Sequence, residues 1–498
     1  MPYLGIILVI ATVLFGRLSW VNFRRGNYSI ALTCLVLIGL MLRLFVASDL
    51  FLHPWDERYH ALVAKNMLSH PLVPTLYDSP ILDYDYKNWP GNHVWLHKQP
   101  LALWGIMASL WTFGTNEIAV RIPSIILSTL GIVLTYKMGW KLFNRQVGYY
   151  GSILYAINGL IVEMMSGRIT TDHVDIFFLF FIQLAILLAI EFAQTRNKWI
   201  NLLCGFTIGL AVLSKWLPAL IVFPVWFALI KYYGKFTWKE IVLHGILLLT
   251  IAFVTFIPWQ VYIHQQFPLE AVWESNFNRM HLTEAIEGQS GPFYYHFSVM
   301  RIVYGEIIYI PLIWLLWVTL KKRSNSKYWA LLLWIGIPYI FFSLVATKMQ
   351  AYTLFAAPAI FIVAALFIHY LIVNKGRFRY KWLPVLLVVL LFALPIRFAI
   401  ERIKPFNEID RNPEWRRELL QFSEKIKDDE KAVVFNVELP IELMFYSGIP
   451  SYLEMPEDHI IDSLLVEGYT IYFGNHSEVE HKYENANYFT LVKKGNPY

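Results

Sequence analysis

Cysteine is nearly absent from this 498-residue chain: there are two, Cys34 and Cys204, and both lie inside apolar runs. No disulfide framework and no cysteine zinc site can be assembled from them. Charge is also scarce, at 16% of residues against 57% hydrophobic, too little to solvate a water-soluble protein of this length. The chain has no Gly-x-Gly-x-x-Gly fingerprint and no Walker-type phosphate loop, which argues against a nucleotide-driven pump. The first apolar run, Tyr3 to Trp20, lacks a basic leader and a small-residue cleavage site, so it reads as a retained helix rather than a cleaved signal. The net charge of +6 comes mostly from Lys/Arg clusters between apolar runs, where it has a topological meaning. Nucleic-acid binding is not read from it.

What is present is a series of apolar runs long enough to cross a bilayer, at about 3–20, 30–48, 120–140, 148–165, 173–194, 199–214, 241–259, 301–320, 328–346, 351–372 and 383–400, with a shorter one at 217–231. Basic clusters recur between them, at Arg24/Arg25, Lys141/Arg145, Arg196/Lys198, Lys231/Lys235/Lys239, Lys321/Lys322/Arg323/Lys327 and Lys375/Arg377/Arg379/Lys381. All become cytoplasmic if Leu101–Phe113 is an interfacial helix on the outer surface rather than a crossing. The expected fold is an all-α polytopic membrane domain, residues 1–400, of about twelve transmembrane helices with both termini outside and interfacial helices in the first outer loop, 49–119. After Ile400 the composition turns soluble. Strands are expected at 432–437, 469–473 and 487–492 and helices at 413–427 and 457–467, so residues 401–498 read as a small α/β soluble domain. This domain is a lid, an acceptor-docking module or passive packing.

The long polar stretch from Asp49 to Leu101 concentrates the ionisable groups that are costly beside a bilayer. Asp56 and Glu57 open a helix that continues through His60, Ala64 and Met67, where the bland role is a helix cap and the sharper one a catalytic base. Arg58 could hold the carboxylate ionised. His97-Lys98-Gln99-Pro100 ends the same loop, with Pro100 suited to a first helical turn and Lys98 beside amides that favour a phosphate. A snorkelling lysine is the structural alternative. His93 and His97, four apart, would share a helical face able to hold a metal, although Pro90-Gly91 interrupts it. Arg168 and Asp172 pair locally, or Asp172 stands over the same cavity as Asp56. Lys215 and Lys348 sit at outer span ends against the charge bias, as anion ligands. In loop 260–300, Arg279 is the best-suited phosphate ligand, because a guanidinium grips phosphate with two hydrogen bonds. Twelve of the fourteen histidines also fall on the outer side or in the tail. One outer polar cavity assembled from several loops accounts for this asymmetry.

Asp56-Glu57-Arg58-Tyr59, Lys98-Gln99-Pro100-Leu101 and the run Phe113-Gly114-Thr115-Asn116-Glu117-Ile118-Ala119-Val120-Arg121-Ile122-Pro123-Ser124 resemble the front half of the C-type (GT-C) polyprenyl-phosphate-sugar-dependent membrane glycosyltransferases. That family includes the lipid A aminoarabinose transferases and the protein O-mannosyltransferases. Leu213-Ser214-Lys215 and Lys348 to Pro358, with Tyr352 between, match later landmarks, so the resemblance covers about residues 30–360. It implies an active site facing the lumen or periplasm, surface helices in the first outer loop, and sugar transfer from a lipid phosphate. Where many relatives have Glu-Lys-Pro-Pro, this chain has His97-Lys98-Gln99-Pro100, so a metal- or sugar-binding glutamate is absent or replaced by His97. The extra N-terminal span is a second departure.

Residues and resemblance together make Asp56, Glu57 and Asp172 the catalytic candidates, and Arg58, Tyr59, Lys98, Lys215, Arg279, Lys348 and Tyr352 the donor-phosphate ligands. A divalent metal at His97 or Asp172 is a further option. The expected activity is inverting transfer from a polyprenyl-phosphate sugar to a lipid, glycan or protein acceptor at the outer face of a bacterial inner membrane. The rival readings are a polytopic transporter or lipid flippase, which would need ionisable groups or broken helices near mid-bilayer, and an envelope scaffold.

Overall fold

In the computed structural model the described residues are 2–321, 326–429, 431–474 and 487–489. Among them, eight helices are long and apolar enough to cross a membrane: Tyr3–Arg24, Tyr28–Val46, Glu117–Leu142, His173–Thr195, Trp238–Gln266, Lys327–Leu344, Gln350–Val373 and Trp382–Ile403. Helices Tyr295–Tyr304 and Tyr309–Lys321 meet at 111° and raise the number to nine if taken as one span. The twelve expected from hydropathy are not all continuous helices, and the reasons are local. The run at 148–165 breaks into Arg145–Ala156 and Gly159–Met164. There Asn158 caps the second piece by accepting from the Ile161 N–H (3.1 Å) and donates to Val303 O (3.0 Å). Pro218 turns the start of the 217–231 run into a 3-10 turn, Leu217–Ile221, ahead of the short helix Val222–Tyr233. Lys198–Lys215 is an 18-residue helix whose terminal lysines dilute its apolar character. Lys322 and Arg323 of one basic cluster lie outside the described residues.

Burial sorts the spans into centre and rim. The most apolar windows of Gln350–Val373 and His173–Thr195 are 78% and 72% buried, against 17% for Tyr3–Arg24 and 28% for Trp238–Gln266. The rim helices therefore keep apolar faces for lipid, while the central pair packs against protein on nearly all sides. Close approach to the rim helix Trp238–Gln266 depends on two glycines four apart: a Cβ on Gly205 would lie 2.5 Å from Leu248 O, and one on Gly209 2.4 Å from Thr255 Cβ. Small residues at this spacing let membrane helices approach backbone to backbone.

Helix Asp56–Asn66 and helix Pro100–Phe113 lie between the second and third of these spans. Pro100 occupies the first turn of the latter as expected. At 14 residues this helix is about 21 Å long, too short to cross. Past the last span, strands β1 (Ala432–Phe435), β2 (Thr470–Gly474) and β3 (Asn487–Phe489) form a parallel sheet in the order β1-β2-β3. Helices Glu414–Ile426, Pro440–Ser447 and Asp458–Val466 accompany it. All four β1 residues are buried although β1 ends the strand order, because its outer edge is covered by the segment that Val434 bridges at Ser451. Residues 490–492 of the third expected strand lie outside the described residues.

This C-terminal segment is clamped onto the outer loop. Lys65 Nζ donates to the carbonyls of Met444 (2.9 Å) and Phe445 (2.7 Å). The Tyr446 hydroxyl lies 2.5 Å from Glu117 Oε1, which Arg416 Nη2 approaches to 3.0 Å. Phe51 joins the apolar cluster formed by Trp415, Leu419, Val434 and Leu443.

Candidate active site

Asp56 is the first residue of helix Asp56–Asn66, but it does not cap that helix: Trp55 occupies the cap position and no side chain bonds the first-turn amides. Instead Asp56 Oδ2 accepts a hydrogen bond from the Thr171 backbone N–H (3.1 Å) and faces Lys98 Nζ at 3.6 Å. Both side chains keep some exposure, 16% for Asp56 and 22% for Lys98, so the pair is reachable from outside the protein core. Burial by itself would raise the Asp56 carboxyl. Lys98, then His60, His97 and the Thr171 amide, outweigh it and bring the group down to about 2. Lys98 is the complementary case: burial would lower its ammonium, but Asp56, Asp172, Asp175 and Glu274 raise it.

Asp172 is wholly buried and close enough to Lys98 to raise its ammonium. His60 Nδ1 lies 2.8 Å from Asp172 Oδ1, yet off the hydrogen-bonding line, and neither Asp172 oxygen has a hydrogen-bond partner among the described residues. The local Arg168–Asp172 pair does not form, because Arg168 turns to Asp49, with Nε at 3.0 Å and Nη2 at 2.8 Å from Oδ2. Lys215 pairs with Asp175 and lies 5.1 Å over the Tyr352 ring. Positions 56, 60, 98, 172, 175, 215 and 352 thus come together from four separate parts of the chain.

Glu57, expected beside Asp56 as a catalytic group, faces the other way. It is wholly buried and held by Arg121, with Nε 2.7 Å from Oε1 and Nη2 2.9 Å from Oε2, and by the His53 N–H (2.7 Å) and His53 Nδ1 (2.6 Å). His173 Nε2 adds a contact at 3.4 Å. Burial would raise this carboxyl, but Arg121, His53 and His173 hold it well below the usual carboxylate range. Arg121 also donates to the carbonyls of Ala47 (2.9 Å) and Phe51 (2.6 Å), so it ties the end of the second span to the start of the next. Gly167 completes the network: its φ is +77°, and a Cβ there would stand 2.4 Å from the Glu57 carboxyl carbon. A larger residue would be both strained and in collision.

Several expected phosphate ligands are placed elsewhere. Arg58 lies 3.5 Å from the buried Glu442 of the C-terminal segment and 5.1 Å over Tyr59. Tyr59 is buried and packs edge-on against Trp89 at 5.0 Å. Lys348 turns its ammonium back onto the end of helix Ser326–Leu344, donating to Phe342 O (3.0 Å), Ser343 O (2.8 Å) and Val345 O. That occupies all three of its donors. Arg279 is exposed on helix Pro268–Thr283, with no ion pair among the described residues. The His93/His97 metal pair does not form either, because the segment is not helical and Val94 bridges to Thr75. His93 Nδ1 contacts Tyr77 O, whereas His97 stacks on Trp89 at 4.5 Å and faces Glu274 at 3.4 Å. Among the described residues no group of three or more His, Cys, Asp or Glu is placed to hold a metal.

Sequence reading missed His60, Arg121, Asp49, His53, His173 and Glu274. His60 carried a signal, being one helical turn from Asp56 on the same face. Arg121 stood in a quoted motif without a role. Glu274, more than two hundred residues from Asp56, carried none.

Comparison with known proteins agrees with this architecture. The family model for dolichyl-phosphate-mannose-protein mannosyltransferases matches residues 97–262. An undecaprenyl phosphate-alpha-4-amino-4-deoxy-L-arabinose arabinosyl transferase 2 of Proteus mirabilis is 26% identical over 356 residues, covering 66% of this chain and 58% of the relative. The chain spans about half to two thirds of the length of the curated relatives it matches. In fold it is similar to ArnT from Cupriavidus metallidurans bound to undecaprenyl phosphate, with a TM-score of 0.61, 15% identity and 87% of each chain covered. It is also similar to the archaeal oligosaccharyltransferase AglB from Archaeoglobus fulgidus in complex with an inhibitory peptide and a dolichol-phosphate. There the TM-score is 0.55 and the identity 14%, over 85% of this chain and 64% of that one. The archaeal protein has also been seen in complex with Zn and sulfate. The resemblance to aminoarabinose transferases and O-mannosyltransferases read from the motifs is therefore found in sequence, and the GT-C fold it implied is found in structure.

Proposed function

We propose that this protein is an integral membrane glycosyltransferase that moves a sugar from a polyprenyl-phosphate donor to a lipid, glycan or protein acceptor on the outer face of a bacterial inner membrane. The observation that carries the reading is the Asp56–Lys98 contact: a partly exposed carboxylate and ammonium, 3.6 Å apart, near Asp172, whose oxygens have no hydrogen-bond partner among the described residues, and we assign the space they border as the donor cavity. Twelve crossings, with the short and broken helices counted in full, put this cavity and the C-terminal segment together outside.

Lys98 is engaged with Asp56 at 3.6 Å. When the donor's phosphate arrives at Lys98, the ammonium gains a stronger anionic partner and Asp56 loses the cation that most lowers it. Its basicity then rises toward the range useful for proton transfer. Asp56 takes the proton of the acceptor hydroxyl as that oxygen forms its bond to the anomeric carbon. The bond from that carbon to the phosphate oxygen breaks on the opposite face, and polyprenyl phosphate leaves with the electron pair. Lys98, with Lys215 nearby, balances the charge growing on the leaving phosphate. One displacement inverts the anomeric centre. The donors present, a His60–Asp172 pair and a separate His97–Glu274 pair, do not by themselves make a metal site, and no step is assigned to one.

The test is to supply the purified protein in vesicles with undecaprenyl phosphate carrying a radiolabelled sugar and with membrane acceptors. Free undecaprenyl phosphate should appear in step with acceptor labelling. Movement of intact lipid-linked sugar between leaflets without release would favour the flippase, and neither outcome would favour a scaffold.

A further inference from the structure

Beyond the Asp56–Lys98 pair the cavity has a second wall with no assigned task. Glu274 projects from helix Pro268–Thr283 with its side chain 7% exposed, facing His97 Nδ1 at 3.4 Å. This contact lacks hydrogen-bond geometry: neither Glu274 oxygen, nor His97 Nδ1, has a hydrogen-bond partner among the described residues. A carboxylate removed from water without donors is costly, and such groups persist where something else supplies the donors. The imidazole cannot swing away to relieve it. Trp89 stacks on its face at 4.5 Å, and Trp95 and Phe277 flank it at 5.7 and 5.6 Å. His97 therefore offers only its edge, next to Lys98 in the chain and opposite Glu274.

An anion is excluded from this wall by the carboxylate, and an apolar group would leave both partners unsatisfied. What fits is a cluster of O–H donors a short distance from the phosphate-binding ammonium. Resting on the proposed glycosyltransferase reading, we infer that Glu274 and His97 form the subsite that grips the ring hydroxyls of the donor's sugar, with Glu274 accepting and the His97 edge orienting. Specificity for the sugar then resides on the outer helix Pro268–Thr283, apart from the Lys98 site that holds the lipid phosphate. The division is sharp in charge as well as position, since one wall attracts an anion and the other repels it.

Binding without turnover tests this. Undecaprenyl phosphate carrying mannose, glucose or 4-amino-4-deoxy-L-arabinose, and sugar-free undecaprenyl phosphate, are titrated against the full-length wild type and Glu274→Gln in the same vesicles. The wild type should bind at least one glycosylated lipid more tightly than the sugar-free lipid. Glu274→Gln should erase that preference, a loss of about tenfold or more for a hydrogen bond to a charged group. Binding of the sugar-free lipid should be unchanged, which also reports that the variant is folded. The inference is overturned if the preference survives in Glu274→Gln, if sugar-free binding falls equally, if the wild type has no preference, or if EDTA abolishes the preference in the wild type. A wild type that shows the preference yet transfers no sugar would sink the enzyme reading and leave the subsite standing.

Discussion

Asp56 and Glu57 are neighbours in the chain and opposites in the molecule. Asp56 leans into a cavity, held by one amide and one exchangeable lysine. Glu57 points into protein, gripped by Arg121, His53 and His173. Successive residues on a helix are rotated by about 100°, so a motif that begins with two acids delivers them to different environments. One is left free to change partner and the other is committed to hold the frame. Of the two, only Asp56 keeps a partner it can exchange.

The comparison breaks most readily at Asp56. Asp56→Asn keeps the shape and removes the base, and transfer should fall by about a hundred- to ten-thousandfold while the thermal midpoint drops far less than in Glu57→Gln. Lys98→Ala should lower kcat about a hundred- to thousandfold, again in a folded protein. If either variant retains full activity in the vesicle assay, the Asp56 side is not the chemical one. Glu57→Gln should do the reverse. It leaves Arg121 buried beside an uncharged partner, which should cost about 3–5 kcal/mol of stability, read as a lower thermal midpoint, while folded molecules keep measurable turnover. A smaller loss, about 1 kcal/mol, is expected for Lys348→Ala, because its ammonium caps a helix end rather than touching the donor, and activity should persist.

The finest test is pH. The Asp56 carboxyl is brought down to about 2 from an ordinary 3.8, with Lys98 the strongest lowering influence. Its charge therefore favours the folded state above the ordinary value, and that contribution is lost as pH falls through the lowered one. The acid limb of kcat/KM should not reflect Asp56 at ordinary assay pH. Lys98→Met should raise the Asp56 carboxyl and so bring an acid limb of its own up toward the assay range, since Lys98 is the strongest of the influences that lower it.

The membrane class, the polar outer loop, the Pro100 helix start and the strands at 432–435 and 470–474 were legible because each rests on local periodicity or composition. Asp56, Lys98, Asp172 and Lys215 could be nominated because charge at the outer end of a span is unusual wherever it occurs. Lys348 met the same criterion and proved to be a helix cap, and Arg58 turned to Glu442, because direction is set by what packs nearby. The count of continuous spans fell short of twelve for the same reason. Asn158 and Pro218 break helices where hydropathy runs on.

By itself, then, the sequence determined that this chain lives in a bilayer and which segments between its spans carry its polar residues, since both follow from transfer free energies summed along short windows. Only the tertiary structure decided which of two adjacent acids is free, that Arg121 and Gly167 secure the other, and that Glu274 arrives opposite His97. Those outcomes depend on contacts between residues tens to hundreds of positions apart, and no window of sequence contains them.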